Sequence, residues 1–153
     1  MTIKTPLLLA TLALGLYSCD PCRNLDCQSS SYSGQFSFLS KQNGLNLVFG
    51  LRKVYDKTKI KFYSINKNDT TYYDYTVRTS GIAQSDSILD VYFYPAPTAN
   101  VYIKLSNSDT DTLAITFKTF TSQCCGKITE IDKFLYNNST EFSGGPTTKI
   151  ILK

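Results

Sequence analysis

Apolar and aromatic residues recur at every second position through short segments bounded by turn residues, and no stretch sustains a helical period. Alternation of that kind places one set of side chains on one face of an extended strand. Gln35–Ser40 puts Phe36 and Phe38 together, Asn43-Gly44 offers a hairpin turn tolerant of positive φ, and Leu45–Phe49 aligns Leu45, Leu47 and Phe49. Lys59–Asn66 brings Ile60 and Phe62 to one side, and Thr71–Arg78 alternates Tyr73, Tyr75 and Val77 with Tyr72, Asp74 and Thr76. Ser87–Tyr94 sets Leu89, Val91 and Phe93 against Asp90 and Tyr92, and ends where Pro95 and Pro97 cannot donate to a ladder. Ala99–Ser106 aligns Val101, Ile103 and Leu105, and Thr112–Phe120 aligns Leu113, Ile115 and Phe117. Lys127–Tyr136 reads as strand, although Ile128, Ile131 and Leu135 also fit a helical face; Thr147–Lys153 closes the chain. The expectation is about eight or nine strands in one all-β domain over residues 34–153, arranged as a two-sheet antiparallel β-sandwich.

Composition narrows the chemistry. Eleven Tyr and nine Phe suit a pleated surface. Histidine is absent, which removes Ser-His-Asp triads, Cys-His pairs and imidazole-ligated metal together. Formal charge is +4 with lysines scattered, so no basic arm for nucleic acid is present. No phosphate-binding loop, dinucleotide fingerprint or nucleophile elbow occurs. The chain reads as non-enzymatic, with no cofactor and no metal expected.

Residues 1–18 carry Lys4 near the start and an apolar stretch from Pro6 to Tyr17. That stretch falls short of the roughly 20 residues a spanning helix needs and has the layout of a secretory signal. Its ending, Leu16-Tyr17-Ser18-Cys19, resembles the lipobox of bacterial lipoproteins: leucine, a tolerant position, a small residue, cysteine. The resemblance implies cleavage after Ser18 and lipid, palmitate among it, on Cys19. Acyl chains contributing about 0.8 kcal/mol per buried CH₂ would then hold the protein on a membrane. Tyr17 departs from the usual residue there, and an ordinary signal cleaved elsewhere is the alternative.

Residues 19–33 read as a polar, lipidated tether. The run Leu47-Val48-Phe49-Gly50, the Asp109–Leu113 segment and Cys124-Cys125-Gly126 are similar to small uncharacterised lipoproteins of the Bacteroidota envelope. That likeness implies an immunoglobulin- or transthyretin-like sandwich and no known activity. Asp20-Pro21-Cys22-Arg23-Asn24 lacks the acidic run that sends some of those proteins to the cell surface, so a periplasm-facing address is expected.

Five cysteines are an odd count for an exported chain. Lipid on Cys19 leaves four, Cys22, Cys27, Cys124 and Cys125, for the disulfides expected in an oxidising compartment. Either Cys22 pairs with Cys27, leaving a strained vicinal bridge, or two crosslinks tie the tether to the Cys124-Cys125 turn in one of two ways. A Cys₄ zinc site is disfavoured, because adjacent cysteines do not converge on one tetrahedral ion.

Several clusters invite a functional reading. Glu130 and Asp132, two apart on a strand, share a face as an acid–base pair does; solvated strand charges are commoner. Asp109 and Asp111 offer oxygens to calcium, against a plain polar turn. Lys57, Lys59 and Lys61, on one strand face beside Arg52 and Lys53, suit anionic headgroups or a guarded edge. Asp69-Thr70-Thr71, Asp86-Ser87-Ile88 and Asp111-Thr112-Leu113 resemble envelope O-glycosylation acceptors. Tyr63, Tyr72, Tyr92, Tyr94 and Tyr102 fall on the outward phase of their strands, where flat rings with polar rims can stack on sugars. The expected role is a membrane-anchored structural or interaction module contacting envelope proteins or glycans, with a glycan- or ligand-binding tyrosine face as the alternative.

Overall fold

The structure is a computed structural model and describes Cys22, Cys27 and residues 32–67, 69–79, 87–95 and 99–153. The signal segment, Cys19 and Asp86 lie outside the described residues. The strands are β1 (Ser33–Leu39), β2 (Lys61–Asn66), β3 (Asp69–Tyr73), β4 (Tyr75–Thr79) and β5 (Ser87–Tyr92). They continue as β6 (Ala99–Lys104), β7 (Thr110–Ser122), β8 (Gly126–Tyr136), β9 (Thr140–Ser143) and β10 (Lys149–Leu152). Helix is absent among the described residues. One sheet has the order β10-β1-β5-β4 and the other β3-β2-β6-β7-β8-β9, the expected all-β sandwich, built from ten strands. All pairings are antiparallel except β1 with β10.

The alternating residues meet between the sheets. Phe36, Phe38, Leu89, Val91 and Ile151 from the smaller sheet face Phe62, Val101, Ile103, Leu113, Ile115, Ile131 and Phe134 from the larger. Their removal from water, at roughly 25 cal/mol per Å² of apolar surface, is the main term holding the layers together. Phe36 and Phe93 both pack edgewise or tilted on Phe134, at 5.6 and 5.9 Å between centroids.

Both open sides of the sandwich are bridged by the chain. The Thr71–Arg78 segment is two strands, β3 and β4, broken at Asp74, where it steps from the edge of one sheet to the edge of the other. On the opposite side residues 144–148 carry β9 into β10. Gly144 is required there: a Cβ would sit 1.9 Å from the Ile131 carbonyl oxygen, and its N–H donates to Asp132 O.

Leu45–Phe49 departs from the strand expectation. The Gly44 turn forms with φ 69°, but only one bridge, Leu39 to Asn46, follows it. The buried Asn46 side chain accepts from the N–H groups of Val48 and Phe49 and donates to Ser87 O, replacing the ladder with a turn. Val48 and Phe49 therefore enter the core while Leu45 stays exposed.

Candidate functional site

The longest elements, β7 with 13 residues and β8 with 11, form a hairpin that runs past the apolar core. Pairing continues to Ser122 and Gly126, and beyond Phe117 the core-facing phase carries Thr119 and Thr129, hydroxyl to hydroxyl at 2.9 Å. At the closed end Cys124 bonds Cys22 and Cys125 bonds Cys27, with Cα separations of 5.3 and 5.2 Å. Of the pairings open to the sequence, the structure takes the crosslinked, first-to-first one. Adjacent side chains leave a turn in different directions, so each reaches its own partner. Glycine at 126, with φ 66°, lets the turn close.

Farther along the same hairpin, Glu130 and Asp132 lie on the outer surface with Lys118, 3.0 Å from Glu130 Oε1 and 3.5 Å from Asp132 Oδ1. The two carboxylates raise the Lys118 pKa, chiefly through the Glu130 hydrogen bond. All three border a shallow hollow of about 340 Å³ with Gly144 and Pro146. Both carboxylates stay substantially exposed, which describes a screened surface charge cluster.

A larger cleft of about 740 Å³ opens at the other end of the molecule between β9, β10 and the β6–β7 turn. Asp109 and Asp111 meet there. Lys153 Nζ donates to Asp109 Oδ1 and Asp111 Oδ2, both at 2.7 Å, the Tyr55 hydroxyl donates to Asp109 Oδ2, and Asn137 Nδ2 donates to Asp111 Oδ1 at 2.8 Å. Burial pushes Asp109 up, yet the hydrogen bonds from Lys153 and Tyr55 outweigh it and hold the carboxyl below its usual range. Burial and Asp109 together raise Tyr55. These oxygens are engaged by a half-buried cation and by the side chains of Tyr55, Asn137 and Tyr136, not by backbone groups of a local turn. No three His, Cys, Asp or Glu side chains converge on one point among the described residues. Spacing links neither Tyr55 and Lys153 to Asp109 nor Asn137 to Asp111; the local signal there is the Asn137-Asn138 pair, both at positive φ.

The tyrosines divide. Tyr63, Tyr72 and Tyr102 stand on adjacent strands β2, β3 and β6, on the outer face of the larger sheet, with Tyr63 paired in register to both others. Tyr63 and Tyr102 stack at 5.3 Å and 23°, Tyr63 and Tyr72 lie 6.0 Å apart, and Lys61 Nζ sits 5.6 Å from the Tyr72 ring centre. Tyr92 projects from the smaller sheet, where its hydroxyl hydrogen-bonds Arg78 and is the first cause of the raised Arg78 pKa. Tyr94 lies 6.0 Å from Tyr73, beyond the end of β5. The outward phase holds for the four that lie in strands; Tyr92 belongs to the other sheet and Tyr94 to neither, which separates both from the other three.

The basic group also differs from a single strand face. Only Lys61 lies in β2, while Lys57 and Lys59 flank a turn in which Asp56 Oδ1 accepts from the Thr58 N–H. Arg52 and Lys53 are exposed in the loop before it, beside fully exposed Leu51. Thr70 and Thr71, and Thr112, lie in strands; the latter's N–H and hydroxyl both donate to Asn137 Oδ1. No family model, curated protein or solved structure matches this chain.

Proposed function

We propose that this protein is an envelope lipoprotein, held to a membrane by acyl chains on Cys19 and facing the periplasm, whose sandwich serves as a non-enzymatic structural or interaction module. The observation that carries the reading is the thiol account. Cys22, Cys27, Cys124 and Cys125 are consumed in two bridges, so the fifth cysteine, at the end of the lipobox-like segment, has no cysteine partner in the chain. An exported protein with one such thiol calls for an explanation, and acylation supplies it. Metabolic labelling with an alkynyl palmitate, followed by mass spectrometry of the mature amino terminus, tests it. The expected product begins at Cys19 and carries acyl mass, and Cys19→Ala abolishes the label. A mature chain beginning elsewhere, or free of lipid, refutes the anchor.

A second reading rests on the stacked Tyr63–Tyr102 pair with Tyr72 beside it. Three rings on neighbouring strands, about 4.8 Å apart per strand, make an aromatic patch with hydroxyl rims, suited to a glycan chain. On this reading Tyr63→Ala lowers affinity for a captured glycan about tenfold, while Tyr92→Ala leaves it unchanged. Equal effects of the two substitutions on an array-selected glycan would remove the patch from consideration.

A further inference from the structure

We infer that the closed end of the β7–β8 hairpin is the surface this domain sets against the lipid bilayer, an inference that rests on the proposed acylation of Cys19. Cys22 follows Cys19 by three residues, so even a fully extended chain keeps it within about 11 Å of the acylated residue. Cys22 is bonded to Cys124, whose Cα is 5.3 Å away. Without the bridges, the first residue of the sandwich would be Ser33, and fourteen residues of chain would let it stand up to about 48 Å from the anchor. The disulfides thus convert a long leash into a short clamp. They fix which pole of the domain lies at the membrane.

The chemistry of that pole agrees with the placement. Phe120 is 44% exposed and is the cross-strand partner of half-buried Ile128, while Lys127 is exposed nearby and the charge of Lys118 is answered by Glu130 and Asp132. An aromatic ring with a lysine nearby suits the headgroup layer, where apolar atoms enter the acyl boundary and the Lys127 ammonium meets lipid phosphate. Leu51 and Val54, also exposed, sit at the opposite pole: adjacent Tyr55 hydrogen-bonds Asp109, next to the start of β7. At about 3.3 Å per residue, Phe120 and that pole are roughly 35 Å apart along β7. The clamp therefore turns the Leu51 loop, with Arg52 and Lys53, away from the anchoring membrane.

The chain has no tryptophan, so one introduced indole is the sole reporter of its kind. Phe120→Trp and Leu51→Trp exchange one exposed apolar side chain for another at the two poles. Each acylated full-length variant is reconstituted into phosphatidylcholine–phosphatidylglycerol vesicles bearing a headgroup nitroxide, and indole quenching is read after flotation. Quenching several-fold stronger for Phe120→Trp than for Leu51→Trp is expected. Equal or reversed quenching in variants that float overturns the orientation and leaves the anchor standing. Failure to float overturns the anchor and this inference with it. In the Phe120→Trp background, replacing Cys22, Cys27, Cys124 and Cys125 by serine should preserve flotation and bring quenching down toward the Leu51→Trp level. Unchanged quenching would refute the clamp as its cause. The comparison of the two poles in the disulfide-bonded protein holds even if the serine variant fails to fold.

Discussion

Lys153 joins two carboxylates that burial would otherwise set against each other. Asp111 is 6% exposed and Asp109 partly so, and one ammonium answers both. Replacing that cation by methionine leaves neighbouring carboxylates without compensation, and Lys153→Met should lower stability by about 2–4 kcal/mol at neutral pH, measured by urea unfolding. The folded Asp109 pKa is depressed, so its contribution is present above the ordinary carboxylate value near pH 4 and is lost as pH falls through the lower folded value. Burial lowers the Lys153 pKa, but the two carboxylates more than offset it and hold it raised. Its contribution is complete below the ordinary lysine value near pH 10.4 and is lost as pH rises through the folded value. The gap between wild type and variant should therefore be widest between those limits and close below about pH 4. A gap independent of pH would assign the loss to packing alone.

Other charges show what alternation leaves undecided at this scale. Asp90 has the outward phase expected of it, yet is 1% exposed with Arg78 Nε 2.6 Å from its Oδ2. Lys149 is 2% exposed on the inner face, with Nζ donating to the carbonyls of Gly145 and Thr147 and lying 5.1 Å from the Phe134 ring centre. Period two reports the direction of a side chain. What covers that direction comes from elsewhere in the chain.

Among the elements, the β7–β8 hairpin carries the two bridges, and their loops are not independent. Cys22–Cys124 spans 102 residues and Cys27–Cys125 spans 98. Whichever closes first removes the long-loop entropy, about 4.7 kcal/mol in the chain-entropy account, and the second closes a ring of only about eight residues, for about 2 kcal/mol. Removing either pair by serine should thus cost about 2 kcal/mol, and removing both about 7, read as midpoint shifts in guanidinium unfolding. Additive single losses would show that the loops close independently. The four cysteines were legible as a set, but their partners were not, because spacing says nothing about which way neighbouring side chains leave a turn. Residues 128–136 are strand, and of Ile128, Ile131 and Leu135 only Ile131 turns inward, Ile128 pairing with Phe120 and Leu135 with Ala114 on the other phase. A bulge at Asp132-Lys133 sets Thr116 opposite Lys133 and Phe117 opposite Ile131, so Ile131 and Phe134, three apart, both point inward. One extra residue in a strand mimics a helical interval.

For the whole molecule, the decisive pairing is β1 with β10, parallel, from Phe36–Lys149 to Leu39–Leu152. It brings together segments that lie more than a hundred residues apart, and it supplies Ile151 to the core. The smaller sheet is thus incomplete until the last strand is available, and folding with so many non-local contacts belongs to the slow, millisecond-to-second range. A chain ending at Thr148 should lose cooperative thermal unfolding and elute from size exclusion as aggregates, since it exposes the β1 edge and opens the core beside Phe38. A monomeric truncated chain melting within about 5 °C of the full one would show β10 to be dispensable.

The amino-acid sequence by itself determined the strand class, the inward residues of the regular strands, the outward phase of the tyrosines and the even set of four bridging cysteines. Each follows from local rules, a two-residue period or a count, that act within a few positions of chain. The tertiary structure alone decided the split of Thr71–Arg78 between two sheets, the gathering of Tyr63, Tyr72 and Tyr102 without Tyr92 and Tyr94, and the Lys153 ion pairs. It also decided which cysteine meets which. These depend on which strand lies beside which, a matter settled by burial across the whole domain and by contacts between residues that no local rule connects.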